Sequence, residues 1–145
     1  MSSKTKMIGD IGEAVLTAEF LKHNIPVFKP VGDNLPYDLL VFIKGEYKKI
    51  QVKTTENITN GTMIFQTNIT NPFKKTRRKY TTEEVDIFGL YCLENNFVGL
   101  LKIEDCSSTD TIIRVNPAKN NQTKGVRYKD DYAFDKMLLN RCIEM

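Results

Sequence analysis

Four side chains in this sequence have the types and spacing to act together: Glu13, Asp38, Gln51 and Lys53. A carboxylate is a hard oxygen ligand, a neutral amide still offers a carbonyl oxygen, and an ammonium stabilises developing negative charge. Three of the four lie in one stretch. Tyr37-Asp38-Leu39-Leu40-Val41-Phe42-Ile43 is an apolar, branched run opened by an acid; Lys44-Gly45-Glu46 is turn chemistry; Tyr47 to Thr55 alternates. This predicts a β-hairpin. Strand side chains repeat every two residues, so Ile50, Val52 and Thr54 share one face while Gln51 and Lys53 project together from the other. A loop of two or three residues pairs Asp38 with Val52 or Lys53, and Asp38, Gln51 and Lys53 then converge at one end of the hairpin. A surface strand with a cross-strand Asp/Lys pair of little energetic consequence has the same residues, so the hairpin alone does not decide between the two.

The remaining elements must position these groups. Met7, Ile11, Ala14, Ala18 and Leu21, with Ile8 and Val15, form one stripe at helical spacing over residues 7–22, and this face is expected to meet a sheet. Gly9, Glu13, Leu16 and Phe20 lie roughly opposite, which sets one carboxylate among small and apolar neighbours. Pairing of Glu13 with a lysine such as Lys6 is its structural alternative. His23, the single histidine, follows the helix in a Lys-His-Asn end that reads as solvated rather than catalytic. Pro26 to Pro30 is expected as a short edge strand, because its prolines cannot donate to a ladder. The turn residues Gly32 to Pro36 then deliver the chain to Asp38. Asn60-Gly61 predicts a second turn and Thr62 to Thr67 a third strand. Thr81-Thr82-Glu83-Glu84 reads as a capping box for a short helix. The nearly all-apolar Ile87 to Cys92 reads as a strand covered on both faces. Phe97 to Ile103 and residues 111–115 follow as strands, and Asp130 is expected to cap a final helix that packs Tyr132, Met137, Leu138 and Leu139.

Charge is distributed unevenly. From Lys44 to Lys79 nine Lys or Arg stand against Glu46 and Glu56, a local +7; from Tyr80 to Ile113 only Lys102 stands against seven acids, a local −6. A basic segment beside an acidic one fits a polyanion-binding face. Its densest part is Lys74-Lys75-Thr76-Arg77-Arg78-Lys79, edged by the aromatics Phe73 and Tyr80 and read as a compact phosphate-tracking segment. Residues 116–129 form a second polar stretch with Lys119, Asn121, Gln122, Lys124 and Arg127, the kinds of side chain that read base edges.

Composition narrows the class. The 145 residues, 41% hydrophobic and 27% charged with a net charge of +3, describe one globular domain over residues 1–145. No apolar run approaches membrane-spanning length and no signal peptide is visible. Cys92, Cys106 and Cys142 are odd in number and form no CxxC pair, so neither a disulfide framework nor a zinc site is indicated and a reducing cytoplasm fits.

A helix acid, an Asp at a strand start, and a residue-x-Lys tripeptide on the partner strand resemble the PD-(D/E)XK nuclease superfamily. Gly12-Glu13, Tyr37-Asp38-Leu39 and Gln51-Val52-Lys53-Thr54 stand where that pattern wants them. The sequence is most similar to the small bacterial and phage nucleases of this fold, which include an intron-encoded homing endonuclease and are related to Holliday-junction resolvases. Arg77-Arg78-Lys79-Tyr80, Asp86-Ile87-Phe88 and Asn120-Asn121-Gln122 with Gly125-Val126-Arg127 extend the likeness over most of residues 8–132. The resemblance implies an α/β, restriction-endonuclease-like fold, a mixed β-sheet flanked by helices. It also implies a metal-dependent DNA endonuclease using Mg2+, with Mn2+ as the alternative ion, and no small-molecule cofactor. Asp38 and Glu13 would hold the metal, the Val52 carbonyl would complete its shell, and Lys53 would orient or activate the attacking water. Double-stranded DNA would be the partner, and cutting two strands with one site per chain implies a homodimer or homotetramer. A junction resolvase is the rival enzyme. A non-catalytic nucleic-acid-binding module is the rival outside enzymes, because Gln51 stands where most members have Asp or Glu.

Overall fold

The computed structural model describes residues 3–116 and 125–139. Helix α1 (Ser3–Lys22) leads into β1 (Val27–Phe28), β2 (Leu39–Ile43) and β3 (Glu46–Thr55). Strands β4 (Thr62–Phe65), β5 (Asn68–Asn71) and β6 (Thr76–Lys79) precede β7 (Ile87–Cys92) and β8 (Phe97–Lys102). Then follow β9 (Thr111–Arg114), β10 (Arg127–Tyr128), α2 (Lys129–Tyr132) and α3 (Phe134–Leu139). The central sheet has five strands in the order β1-β2-β3-β7-β8. Only β3 and β7 run parallel in it; the other neighbours are antiparallel, so the sheet is mixed as expected. Among the described residues no helix is long and apolar enough to cross a membrane.

The hairpin forms where expected, but its register is tighter. Lys44 (φ 50°) and Gly45 (φ 84°) both take left-handed backbone, which makes a two-residue primed turn and returns Glu46 to the ladder opposite Ile43. Leu39 therefore faces Ile50, and the Asp38 N–H donates to the Ile50 carbonyl at 2.8 Å. Asp38 is not opposite Val52 or Lys53. The shift follows from Glu46 serving as a strand residue rather than a turn residue.

One face of the sheet meets α1, and it does so through the other helix face from the one the hydrophobic stripe indicated. Gly12, Leu16 and Phe20 are buried, while Met7 and Leu21 stand more than half exposed and Ala14 and Ala18 face out. Close approach decides the matter. A methyl group added at Gly12 would overlap the Thr54 hydroxyl on β3, and Leu16 lies so close to Gly89 on β7 that a side chain there would collide with it. Glycines on both surfaces let helix and sheet touch, and the bulky stripe is left outside. Leu16 and Phe20 join Leu39, Val41, Ile50, Ile87, Leu100, Phe134 and Met137 in one core. Truncating a fully buried side chain such as Leu16 to Ala costs about 2 to 5 kcal/mol.

The opposite face carries a second core, in which Phe88, Leu90, Cys92 and Leu101 pack under Met63, Phe65 and Ile113. The last three come from a small three-stranded sheet, β10-β9-β4. Covered on both sides, β7 is buried at every position, as its unbroken apolar run predicts. Its start is anchored by Asp86, whose N–H donates to the Lys49 carbonyl and whose carboxylate accepts the Lys49 N–H at 2.8 Å.

Other expectations change. The compact basic run forms the apex and second strand of a separate two-stranded hairpin, β5-β6, which pairs Asn68 with Lys79 and Asn71 with Thr76. At Thr81 to Glu84 only half of the capping box forms: Thr81 N–H donates to Glu84 Oε1 at 3.0 Å, but Glu84 N–H goes to the Thr81 carbonyl at 3.0 Å rather than to its hydroxyl, and a turn follows instead of a helix. The final helical stretch is two short pieces, with Tyr128 rather than Asp130 at the N-cap, split where Ala133 bridges to Gly99.

Candidate active site

Because Ile50 and Val52 point into the core under α1, Gln51 and Lys53 emerge on the other face, opposite Phe88 and Leu90 of β7. Asp38 stands just before β2, where the chain enters the sheet. Its Oδ2 accepts the Val52 N–H at 2.9 Å, so the side chain is braced across the hairpin at the level of Gln51 and Lys53. Val52 thus reaches the site by its main chain, through its N–H. Burial pushes the Asp38 carboxyl above its ordinary range. The Val52 hydrogen bond opposes that shift, the negative charge of Glu13 adds to it, and Lys53 and Lys29 pull it back.

Glu13 arrives from above the sheet. Its position depends on its predecessor, since Gly12 is what lets α1 descend onto Thr54, one residue from Lys53. Half-buried, it pairs with Lys29 Nζ at 3.5 Å rather than with Lys6. Glu13, Lys29, Tyr37 and Asp38 line one cleft of about 180 Å³ together with the loop residues Pro30, Gly32, Asp33 and Leu35. The structure therefore brings Glu13, Asp38 and Lys53 into one electrostatic neighbourhood, while Gln51, Val52 and Lys53 on β3 do not line the cleft itself. Sequence reasoning missed Lys29. Its signal was weak: a lysine next to Pro30 in what reads as a short edge strand, with nothing to tie it to a helix acid sixteen residues earlier.

On the other side Lys53 meets Tyr80. Its Nζ lies 5.4 Å from the centre of the Tyr80 ring, which packs edge-on against Phe88 at 5.2 Å. An ammonium over a phenol ring is held by the ring quadrupole, a contact worth about 0.5 to 2 kcal/mol. Tyr80 is thereby part of the second core and not a free stacking group at the edge of the basic run.

That run ends at Tyr80, so the root of β5-β6 lies at the border of the site. Arg78 makes a two-pronged pair with Glu84, both bonds 3.0 Å, and this pair holds the Glu84 carboxyl down at about 2. Arg77 lies 3.8 Å from Asp110. Lys74 and Lys75 occupy the apex between the strands and Lys79 the root. Arg127 donates to the Asp105 carbonyl at 2.6 Å from β10. Lys119, Asn121, Gln122 and Lys124 lie outside the described residues.

A second group of polar side chains lies at the far end of α1. Glu19, His23 and Asp135 are close enough to share an ion, but His23 Nδ1 already bonds the Glu19 carbonyl at 2.9 Å and Nε2 meets Asp135 at 3.0 Å. His23 is exposed, as expected, although its ring lies against Phe134 and its contact with Asp135 links α1 to α3. None of the four sequence-predicted catalytic residues belongs to this group.

No curated protein matches the chain. Among solved structures, a bacterial homing endonuclease, I-Ssp6803I, superposes with a TM-score of 0.74 at 22% identity, covering 93% of this chain and 92% of that one. The fold is thus shared with that enzyme. A family model described as PD-(D/E)XK endonuclease matches residues 3–135, a span that includes Glu13, Asp38, Gln51 and Lys53. On that match over nearly its whole length, the chain belongs to the PD-(D/E)XK endonuclease family.

Proposed function

We propose that this endonuclease cuts double-stranded DNA with Mg2+ in a homing-type role, and that Asp38, Glu13, Gln51 and Lys53 form its active site. One observation carries the reading. Glu13 and Asp38 face each other electrostatically in a single cleft, and burial already disfavours the charge on Asp38. Lys29 and Lys53 offset part of the cost of two acids so placed, and a divalent cation between the acids would offset the rest.

The donor set fits a hard divalent ion: the carboxylates of Asp38 and Glu13, an amide oxygen from Gln51, and a main-chain carbonyl at Val52. Mg2+ is the proposed ion and Mn2+ its alternative. When bound, the ion polarises the phosphodiester and lowers the pKa of water. Lys53 orients the attacking water and offsets negative charge that develops on the phosphate oxygens. Lys29 holds Glu13 in the cleft. Gln51 supplies oxygen without charge, so the ion binds more weakly than to a third carboxylate.

Lys74, Lys75, Arg77, Arg78 and Lys79 form the proposed DNA-binding edge, with Tyr80 packed inward at its root, and Lys119, Asn121, Gln122, Lys124 and Arg127 the proposed base-reading segment. One site per chain and two strands to cut imply a homodimer or homotetramer acting in the cytoplasm. The homing role is supported by the fold shared with a bacterial homing endonuclease.

The test is incubation with plasmid, linear duplex and a synthetic four-way junction, in Mg2+ and in EDTA. Mg2+-dependent cutting of duplex that Asp38→Ala abolishes is the expected result. Cutting of the junction alone would make the chain a resolvase. Binding with no cutting in Mg2+ or Mn2+ would leave a binding module and end the proposal.

A further inference from the structure

The apex of β5-β6 presents an aromatic ring to solvent. Phe73 is 94% exposed, more than any other phenylalanine or tyrosine among the described residues. The other well-exposed rings, Phe28, Phe42 and Tyr47, stack on one another within 6 Å of centroid separation, at 5.9 and 4.8 Å. A single exposed apolar side chain is ordinary on a protein surface. Three features set this one apart.

The apex is built to hold the ring out. Asn71 Oδ1 accepts the N–H groups of both Phe73 (3.0 Å) and Lys74 (3.1 Å), Pro72 fixes the backbone before the ring, and Lys75 takes the left-handed turn (φ 52°) that returns the chain to Thr76. Such an Asx-type turn stiffens a loop that would otherwise collapse its ring onto the hairpin. Second, the ring is followed by Lys74 and Lys75, so the apex favours a negatively charged partner. Third, the root of the same hairpin ends at Tyr80, against Lys53. The ribbon thus joins an aromatic tip to the border of the cleft.

Resting on the DNA endonuclease reading above, we infer that Phe73 is a wedge that inserts between base pairs of the bound duplex, while Lys74 and Lys75 grip the flanking phosphates. Side chains of this kind partly unstack a base step and bend the helix around the protein. A β-ribbon fits a DNA groove. From Lys79 to the apex the ribbon spans roughly 15 Å at 3.3 Å per residue, so the wedge meets the duplex away from the cleft rather than at the reacting phosphate.

Tryptophan is absent from the chain, so Phe73→Trp introduces a single indole, excited at wavelengths where the tyrosines do not absorb. The full-length variant is titrated with duplex DNA in Ca2+, which prevents cleavage, while fluorescence anisotropy of labelled DNA records binding independently. Indole emission of the Phe73→Trp protein is expected to be strongly quenched along the same isotherm, whereas emission of a Tyr47→Trp protein stays unchanged. Phe73→Ala should weaken binding about 5- to 100-fold, the range for loss of one base stack. Its salt slope should be unaltered because no cation is removed, and Phe73→Leu should recover much of the loss. Binding without quenching, or a Phe73→Ala protein with unchanged affinity, overturns the wedge and leaves the endonuclease standing. A protein whose anisotropy reports no binding to any duplex overturns both.

Discussion

Gly12 rests against the Thr54 hydroxyl with no room for a β-carbon between them, and this contact sets how deeply α1 sits on the strand that carries Lys53. Gly12→Ala should lift the first half of the helix and carry Glu13 away from Asp38. We expect cleavage to fall by an order of magnitude or more, with a smaller loss of stability. Gly12→Ala combined with Thr54→Ala restores space and should recover activity, measured as single-turnover rate on duplex DNA. A single variant as active as the parent would separate Glu13 from the reaction.

Asp38 is a site whose charge the fold does not favour. Because burial raises its folded-state pKa, the folded protein binds a proton that the unfolded chain, near pH 3.9, has released. Stability therefore declines as pH rises from that unfolded value through the folded one, and the penalty is fully present above it. Asp38→Asn should raise Tm at pH 7, lose that advantage at pH 3, and abolish cleavage. Mg2+ should raise the Tm of the parent only, by mass action. Thermal scans at both pH values, with and without Mg2+, check the sign; a lower Tm for Asp38→Asn at pH 7 contradicts it.

Lys53→Ala should remove cleavage while leaving DNA affinity within a few fold, because the lysine acts on the reacting phosphate and not on docking. Tyr80→Leu keeps the packing on Phe88 but removes the aromatic face beneath Nζ. It should lower the turnover rate by about 3- to 10-fold, from a cation–π contact of roughly 1 kcal/mol. Equal rates for Tyr80→Leu and the parent would show that Lys53 is positioned by other groups.

The hairpin cations should not be equivalent. Neutralising Lys74 and Lys75 removes two phosphate contacts and should flatten the plot of log K against log salt by about 0.9 for each. Arg78 is already engaged by Glu84, so Arg78→Gln should change the slope less and the stability of the turn more. Titrations between low and moderate salt distinguish the two. An equal slope change for Arg78→Gln would mean that its pair with Glu84 opens on DNA.

Gln51→Glu puts a carboxylate across the hairpin from Asp38, one step past the Leu39–Ile50 pair, and should tighten Mg2+ binding, measured by calorimetry on an uncleavable duplex. Without metal the extra charge should lower Tm. Weaker Mg2+ binding would move Gln51 out of the coordination set.

Much of this was written in local sequence. Alternation in β3 decides that Gln51 and Lys53 share a face, and the unbroken apolar run of β7 decides that it is covered on both sides, because side-chain period and burial follow from the backbone of a strand. The order helix acid, strand Asp, strand Lys marked the family before any contact was known. Tertiary structure decided what depends on shape between elements. Hydrophobic spacing selected the wrong face of α1, since counting apolar residues ignores that a glycine permits closer approach than a methionine; Gly12 over Thr54 and Leu16 over Gly89 settle the face by contact distance. The register of the hairpin depended on whether Glu46 belonged to turn or strand, a choice made by the two left-handed residues before it. The pairings of Lys29 with Glu13 and of Lys53 with Tyr80 join residues sixteen and twenty-seven positions apart, and no local pattern encodes them. They exist because a mixed sheet brings the edge strand under the helix and the root of the basic hairpin beside β3, which only the folded chain specifies.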